Sequence, residues 1–217
     1  MLKHFDREVN LLKQHFMSQT SRIRHNAAIV LGFDRTPGEV IDDATIDSSE
    51  VEIEEECLKI IALHQPVADD LRFLTTVIKA NYNFERMGDL LENIHDLDLN
   101  PDQVESELSG PAGQFRGYFK TIETSVTDAV RALEKRDATL ARAIWKTNKE
   151  IDVTTYALID QFRSRLLRAA GTPALLDGLL SMRYAKRIAD NSANVAKEVL
   201  YLVTGEIVRH RSREFLT

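Results

Sequence analysis

The chain has 217 residues and a formal net charge of −6. This length supports a full hydrophobic core without disulfides, and the acidic balance argues against nucleic-acid binding, because neutralising phosphates requires a surplus of Lys and Arg. Nine Gly and five Pro are too few for the turns of a many-stranded β-protein, so the composition predicts an all-α fold.

Helix-breaking residues cluster at only a few places along the chain. They divide it into six predicted helices, three on each side of a polar segment at 99–113. Between the breakers, apolar residues recur every three or four positions, most regularly from Phe73 to Ile94 in the third helix. This is the periodicity of a helix that packs one face into a core. No stretch approaches 18 uncharged apolar residues, so we predict no membrane span.

The two halves of the chain share a motif. Glu85-Arg-Met-Gly-Asp89 in the third helix matches Lys186-Arg-Ile-Ala-Asp190 in the sixth, with an offset of 101 residues. The repeat predicts two tandem three-helix bundles related by pseudo-two-fold symmetry. The predicted units are a first bundle at 1–98, a linker at 99–113 and a second bundle at 114–217.

Acidic residues recur at helical spacing on two neighbouring helices of the first half. The second helix carries Asp43 and Asp47, and the third carries Glu85 and Asp89. A short turn ending at Pro66 joins these helices, so they run antiparallel and residues equally far from the turn come to the same height. This pairs Asp47 with Glu85 and Asp43 with Asp89.

If these four carboxylates face one another, they repel and need a cation at neutral pH. We therefore predict a metal site there, and oxygen ligands suit Mg, Mn, Ca or Fe, with Zn also left open. The alternative is a solvated outer face, since rows of Asp and Glu on helices are usually hydrated. The rotation of the two helices decides between these readings, and the sequence does not determine it.

The second half repeats this arrangement with fewer acids. Counting from residue 169 places Asn148 opposite Asp190 and Asp152 opposite Lys186. The formal charge of the four positions changes from −4 in the first half to −1 here, and the ammonium group of Lys186 can stand where a cation would. We therefore predict a degenerate second site that is weak or empty, with an ion pair in place of the metal.

These motifs resemble those of the PhoU family of phosphate-uptake regulators. The resemblance is carried by residues 66–72, 83–94 and 186–210. Together with residues 40–72 it covers both halves, and it is weaker in the first and fourth helices. It implies two symmetric three-helix bundles with paired metal-binding motifs. By position these motifs are Asp43 to Asp47 with Glu85 to Asp89, and Asn148 to Asp152 with Lys186 to Asp190, the second pair departing from the pattern in both first members.

The resemblance also implies a function. Such a protein is a non-enzymatic negative regulator in the cytoplasm, where it forms a homodimer. It contacts the ATPase subunit of a phosphate ABC transporter and a phosphate-sensing histidine kinase. The single cysteine, Cys57, and an N-terminal sequence without an apolar signal segment agree with the cytoplasmic expectation.

Two other functions stay open. The first is a metal-free helical adaptor whose acidic stripes dock partners, which metal analysis would distinguish. The second is a carboxylate-bridged di-iron or ferritin-like oxidase, because Glu92-Asn-Ile-His95 is a Glu-x-x-His motif; such a site needs the motif twice, and the chain has it once. The other histidines, among them His4 and His64, show no ligand spacing and are predicted to lie at surfaces or interfaces.

Overall fold

The structure is a computed structural model that describes residues 2–33, 41, 43–97, 99–108, 110–168 and 172–207. All regular secondary structure within these residues is α-helical, so the predicted all-α class is confirmed. In chain order the helices of the described part are α1 (Leu2–Gly32), α2 (Asp43–His64), α3 (Ala68–Asp96), α4 (Pro101–Glu107), α5 (Gln114–Lys135), α6 (Ala138–Arg168) and α7 (Pro173–Thr204).

Helix α4 adds a short seventh helix to the six predicted. The side chain of Asn100 caps it, accepting hydrogen bonds from the backbone N–H groups of Asp102 and Gln103 at 3.0 and 3.3 Å. Pro101 follows at the first helical position, where a missing N–H costs nothing. The same proline that marks a break in the sequence therefore also begins a helix.

The six long helices form two bundles that share one core. Helices α1, α2 and α3 pack together, as do α5, α6 and α7, while α3 lies along α7 and α1 lies along α5. The buried apolar residues make one continuous cluster through both bundles. No helix in the described part of the chain is both long enough and apolar enough to cross a membrane.

The turn between α2 and α3 makes these two helices antiparallel neighbours. Helix α2 ends at His64 and α3 begins at Ala68, so they are adjacent and antiparallel, as predicted. Gln65 and Ala68 have φ values of 47° and 48°, in the left-handed region that allows so short a reversal. The turn therefore returns α3 along α2, and packing along the interface sets which faces meet.

Candidate metal centre

Three carboxylates come together where the first turns of α2 meet α3. Asp43 and Asp47 lie one turn apart on α2, and Asp89 lies on α3. Each contributes one oxygen atom to a group in which these atoms lie within 4.8 Å of one another. The two helices are therefore rotated so that these acids face each other. We call Asp43, Asp47 and Asp89 the acidic cluster.

The close approach of α2 to α3 depends on the glycine at position 88. A Cβ atom there would lie 3.0 Å from Oδ1 of Asp43 and 3.3 Å from Cγ2 of Ile46. Both distances are shorter than ordinary van der Waals contacts of a methyl group. In the repeated motif of the second half, Ala189 occupies the position equivalent to Gly88. The missing side chain of Gly88 thus leaves room for Asp43 against α3 in the first half.

Asp43 is the most buried acid of the cluster. Burial, together with the nearby charges of Glu92, Asp47 and Asp89, raises its pKa from 3.8 to about 7. Its Oδ1 atom is buried and accepts no hydrogen bond from any residue that the structure describes. A buried carboxylate oxygen without a donor is costly, and a cation would compensate for this cost.

Glu85 lies beside the acidic cluster. Burial, together with the charges of Asp89 and Glu50, raises its pKa from 4.5 to about 7. The pKa of Glu50 is itself raised by burial and by the charges of Glu54 and Asp47. Glu85 therefore interacts with Glu50. The spacing had paired Glu85 with Asp47, which lies one turn before Glu50 on α2. The two helices carry a continuous row of mutually repelling acids.

The acidic cluster fits a divalent cation that prefers oxygen ligands. Its three carboxylates can each supply an oxygen ligand, and Glu85 and Glu92 lie next to them. Oδ1 of Asp43 has no hydrogen-bond donor in the described residues. Mg, Mn, Ca and Fe ions take such ligands, whereas a site for a soft ion would contain thiolates. The binding of a metal here stays a prediction.

In the second half, a lysine lies between two acids. The Nζ atom of Lys186 is 2.9 Å from Oδ1 of Asp152 and 2.5 Å from Oδ1 of Asp190. Asn148 donates a hydrogen bond from Nδ2 to the same oxygen of Asp190 at 3.1 Å. The four residues that the spacing paired are thus joined in one network, with an ammonium group at its centre.

The pKa shifts of this network are those of an ion pair. Burial alone would raise the pKa of Asp152, but the hydrogen bond and charge of Lys186 outweigh burial and lower it. Burial alone would lower the pKa of Lys186, but its hydrogen bonds to Asp190 and Asp152 outweigh burial and raise it. Both partners are therefore charged at neutral pH, in contrast to the acids of the first half. That this second site is weak or empty of metal stays a prediction.

Glu92 was missing from the predicted ligand set. It lies three residues after Asp89 on the same face of α3, and its charge acts directly on Asp43. Its i, i+3 spacing from Asp89 was the signal that could have identified it. His95, the other member of the Glu-x-x-His motif, belongs to none of the three-residue groups that could hold a metal in the described part of the chain.

Gly88→Ala is expected to weaken metal binding and to destabilise the protein by about 1 kcal/mol, since the added methyl group must push α2 away from α3. That net loss combines an overpacking cost of about 2 kcal/mol with a gain of about 1 kcal/mol in helix propensity. The check is urea denaturation together with Mn²⁺ titration. Gly117→Ala is the matched control, because Gly117 is exposed in α5 and has nothing within 4 Å of its Cβ position. We expect the control to stabilise; equal stabilisation by both variants would contradict the role of Gly88.

Comparison with known proteins points to one family. The PhoU domain matches residues 38–97 and 115–199. The phosphate-specific transport system accessory protein PhoU homolog 1 of Thermotoga maritima is 28% identical, with 98% of this chain and 93% of that protein aligned. The PhoU homolog of Deinococcus radiodurans, which carries the same accessory-protein name, is 31% identical, with 75% of this chain and 76% of that protein aligned.

Two crystal structures share the fold. PhoU from Pseudomonas aeruginosa superposes with a TM-score of 0.78 at 24% identity, covering 93% of this chain and all of that one. The phosphate transport system regulatory protein PhoU from Streptococcus pneumoniae has a TM-score of 0.77 at 23% identity, covering 94% of this chain and 99% of that one. These similarities confirm the architecture of tandem helical bundles.

Proposed function

The chain belongs to the PhoU family, and we propose that it is a non-enzymatic, cytoplasmic regulator of phosphate uptake that binds metal ions through the carboxylates of α2 and α3. The family assignment supports the regulatory part, because the domain match covers segments of both halves of the chain. The acidic cluster supports the metal-binding part. Each part has its own test.

The proposed partners are the ATPase subunit of a phosphate ABC transporter and a phosphate-sensing histidine kinase. Contact with both would keep the phosphate-starvation response off while phosphate is plentiful. The relatives in T. maritima and D. radiodurans support this proposal, since both are named accessory proteins of the phosphate-specific transport system. The net charge of −6 weighs against nucleic acid as a partner.

Oδ1 of Asp43, buried and without a hydrogen-bond donor among the described residues, is the observation that carries the metal-binding part of the proposal. A cation bound by Asp43, Asp47 and Asp89 would supply positive charge where the fold concentrates negative charge, and would link the start of α2 to α3. Loss of that link would loosen the pairing of α2 with α3. Metal occupancy would in this way change the surface that these helices offer to partners. Fe, Mn, Mg, Zn and Ca all remain candidates.

We include a homodimer in the proposal. Its support from this chain is a set of large apolar side chains that α6 leaves exposed, with Val153, Tyr156 and Leu167 at 70%, 71% and 80% exposure. Exposed apolar side chains of this size are commonly covered by another protein surface when they are contiguous. Sedimentation analysis of the purified chain measures the oligomeric state directly.

Deleting the gene for this chain is expected to switch on phosphate-starvation promoters in phosphate-rich medium, because the proposed negative regulator is lost. A promoter fused to a reporter enzyme measures this effect, and supplying the unchanged chain should restore low expression. A chain with Asp43→Asn and Asp89→Asn should fail to restore it, whereas the Gly117→Ala chain should succeed. Low expression in the deletion strain would contradict the regulatory proposal. Full restoration by the double variant would instead favour the metal-free adaptor.

A further inference from the structure

Two histidines and a glutamate meet at the end of the first bundle that is remote from the acidic cluster. His4 and Glu8 lie one turn apart near the start of α1, and His64 is the last residue of α2. One ligand atom from each of the three lies within 4.8 Å of the other two. The sequence shows no ligand spacing between these histidines and predicts that they lie at surfaces or interfaces. They are 60 residues apart in the chain and become neighbours only when α1 packs against α2.

The three side chains converge on one carboxylate oxygen. Oε2 of Glu8 lies 2.6 Å from Nε2 of His64 and 3.3 Å from Nδ1 of His4. The two imidazole rings have their centroids 6.0 Å apart. Both nitrogen atoms that approach the carboxylate can carry the lone pair that coordinates a metal. A single ion placed among these atoms would need only small side-chain movements to reach all three.

The surroundings hold two of these side chains in place and leave the third open. The side chains of His64 and Glu8 are 13% and 17% exposed, and the ring of Phe5 packs edge-on against His64 at 5.3 Å. His4 is 71% exposed, so an ion and its water ligands can enter from solvent on that side. Zinc sites with three protein ligands commonly keep a water molecule as the fourth ligand, which requires such access from solvent.

We propose that His4, Glu8 and His64 form a separate metal site for a zinc-class transition ion, with Nδ1 of His4, Nε2 of His64 and a carboxylate oxygen of Glu8 as ligands. Two imidazoles and one carboxylate suit Zn, Co, Ni or Cu ions, whereas the acidic cluster offers only oxygen atoms. The two sites lie at opposite ends of α2, about 30 Å apart from the rise of the helix. A bound ion would clamp the first turns of α1 to the last turn of α2.

The ion must displace a proton, whereas a nearby lysine contacts the other oxygen of Glu8. The hydrogen bond between His64 and Glu8 holds a proton where the metal would bind, so metal binding releases that proton. Nζ of Lys59 lies 3.8 Å from the other oxygen of Glu8, and it balances that oxygen without blocking Oε2. Glu56 and Lys59 also line a cleft of about 150 Å³ next to Glu8.

The experiment uses the full chain with Asp43→Asn and Asp89→Asn as background, which removes the acidic cluster. Co²⁺ is the probe, because its visible absorption reports coordination by nitrogen and oxygen ligands, and Zn²⁺ is then added as a competitor. His4→Ala and His64→Gln are each added to the background. His15→Ala is the matched control. His15 also lies beside two acids of α2, but Glu52 faces its Nε2 atom and Glu56 faces its Nδ1 atom, so one ion cannot bind all three residues.

We expect the background chain to bind one equivalent of Co²⁺ and to release it when Zn²⁺ is added. His4→Ala and His64→Gln should each weaken Co²⁺ binding by at least about 10- to 100-fold. Changing a residue that only hydrogen-bonds to a metal ligand already lowers metal affinity by that factor. His15→Ala should leave it unchanged. The proposal is overturned if the background chain binds no Co²⁺, or if His4→Ala keeps full affinity. Because His4 is largely exposed, its replacement tests the site even if His64→Gln disturbs the fold.

Discussion

Replacing both Asp43 and Asp89 with asparagine is expected to remove one metal equivalent per chain and, in the presence of a chelator, to make the protein more stable at pH 8 than the unchanged chain. The acidic cluster concentrates negative charge around a buried oxygen that lacks a hydrogen-bond donor in the described residues. Asparagine keeps the shape of aspartate and removes the charge. The variant therefore loses both the ligands and the repulsion that they cause.

The pH dependence of stability follows from the raised pKa values. The folded chain holds protons on Asp43 and Glu85 up to about pH 7, whereas their unfolded values are near 3.8 and 4.5. Between these limits the folded state binds more protons than the unfolded state, so stability is highest at low pH and is lost as pH rises through 7. After allowance for partial exposure, we expect the metal-free chain to lose about 2 kcal/mol between pH 5 and pH 8.

Urea denaturation at several pH values, with and without Mn²⁺, measures both effects. The double variant should show a flatter pH profile and no stabilisation by Mn²⁺, while the unchanged chain should regain stability when the ion binds. Asp96→Asn is the matched control, because Asp96 is exposed on the same helix and lies outside the acidic cluster. Equal metal content in the double variant and the unchanged chain would remove the acidic cluster as a metal site.

Lys186→Glu is expected to have opposite effects on stability and on metal binding in the second half. With a chelator present, it should destabilise the chain by about 2 kcal/mol, because Asp152 and Asp190 lose their shared ammonium group and gain a third like charge. The formal charge of the four positions changes from −1 to −3. Three carboxylates and the Asn148 amide then offer ligands for a divalent cation.

Elemental analysis and Mn²⁺ titration should show one additional metal equivalent in the Lys186→Glu chain. Lys149→Gln is the control, since Lys149 reaches Asp152 at 3.4 Å but its side chain is 61% exposed, and its loss should cost less than about 0.5 kcal/mol. An unchanged metal content in Lys186→Glu would mean that the lysine does not stand in place of a cation.

The positions of the long helices and the difference in charge between the two halves could be predicted, because both depend on residues close together in the sequence. The period of apolar residues from Phe73 to Ile94 requires a buried face, and the short turn after His64 requires α3 to return along α2. The difference in charge between Glu85 and Lys186 separates an acid-rich group from an ion pair without any coordinates. Helix α4 was harder to predict, since Asn100 and Pro101 are favourable both in a loop and at a helix start.

The sequence by itself determined the all-α class, the internal repeat and the acids that could meet, because helical periodicity and formal charge are properties of neighbouring residues. Only the tertiary structure decided that Asp43, Asp47 and Asp89 face one another and that Glu85 lies next to Glu50, since helix rotation is set by packing across the whole interface, including the missing side chain of Gly88. The meeting of His4 with His64 was likewise a tertiary result. Residues so far apart in sequence leave no periodic signal, and their contact exists only because α1 and α2 share one core.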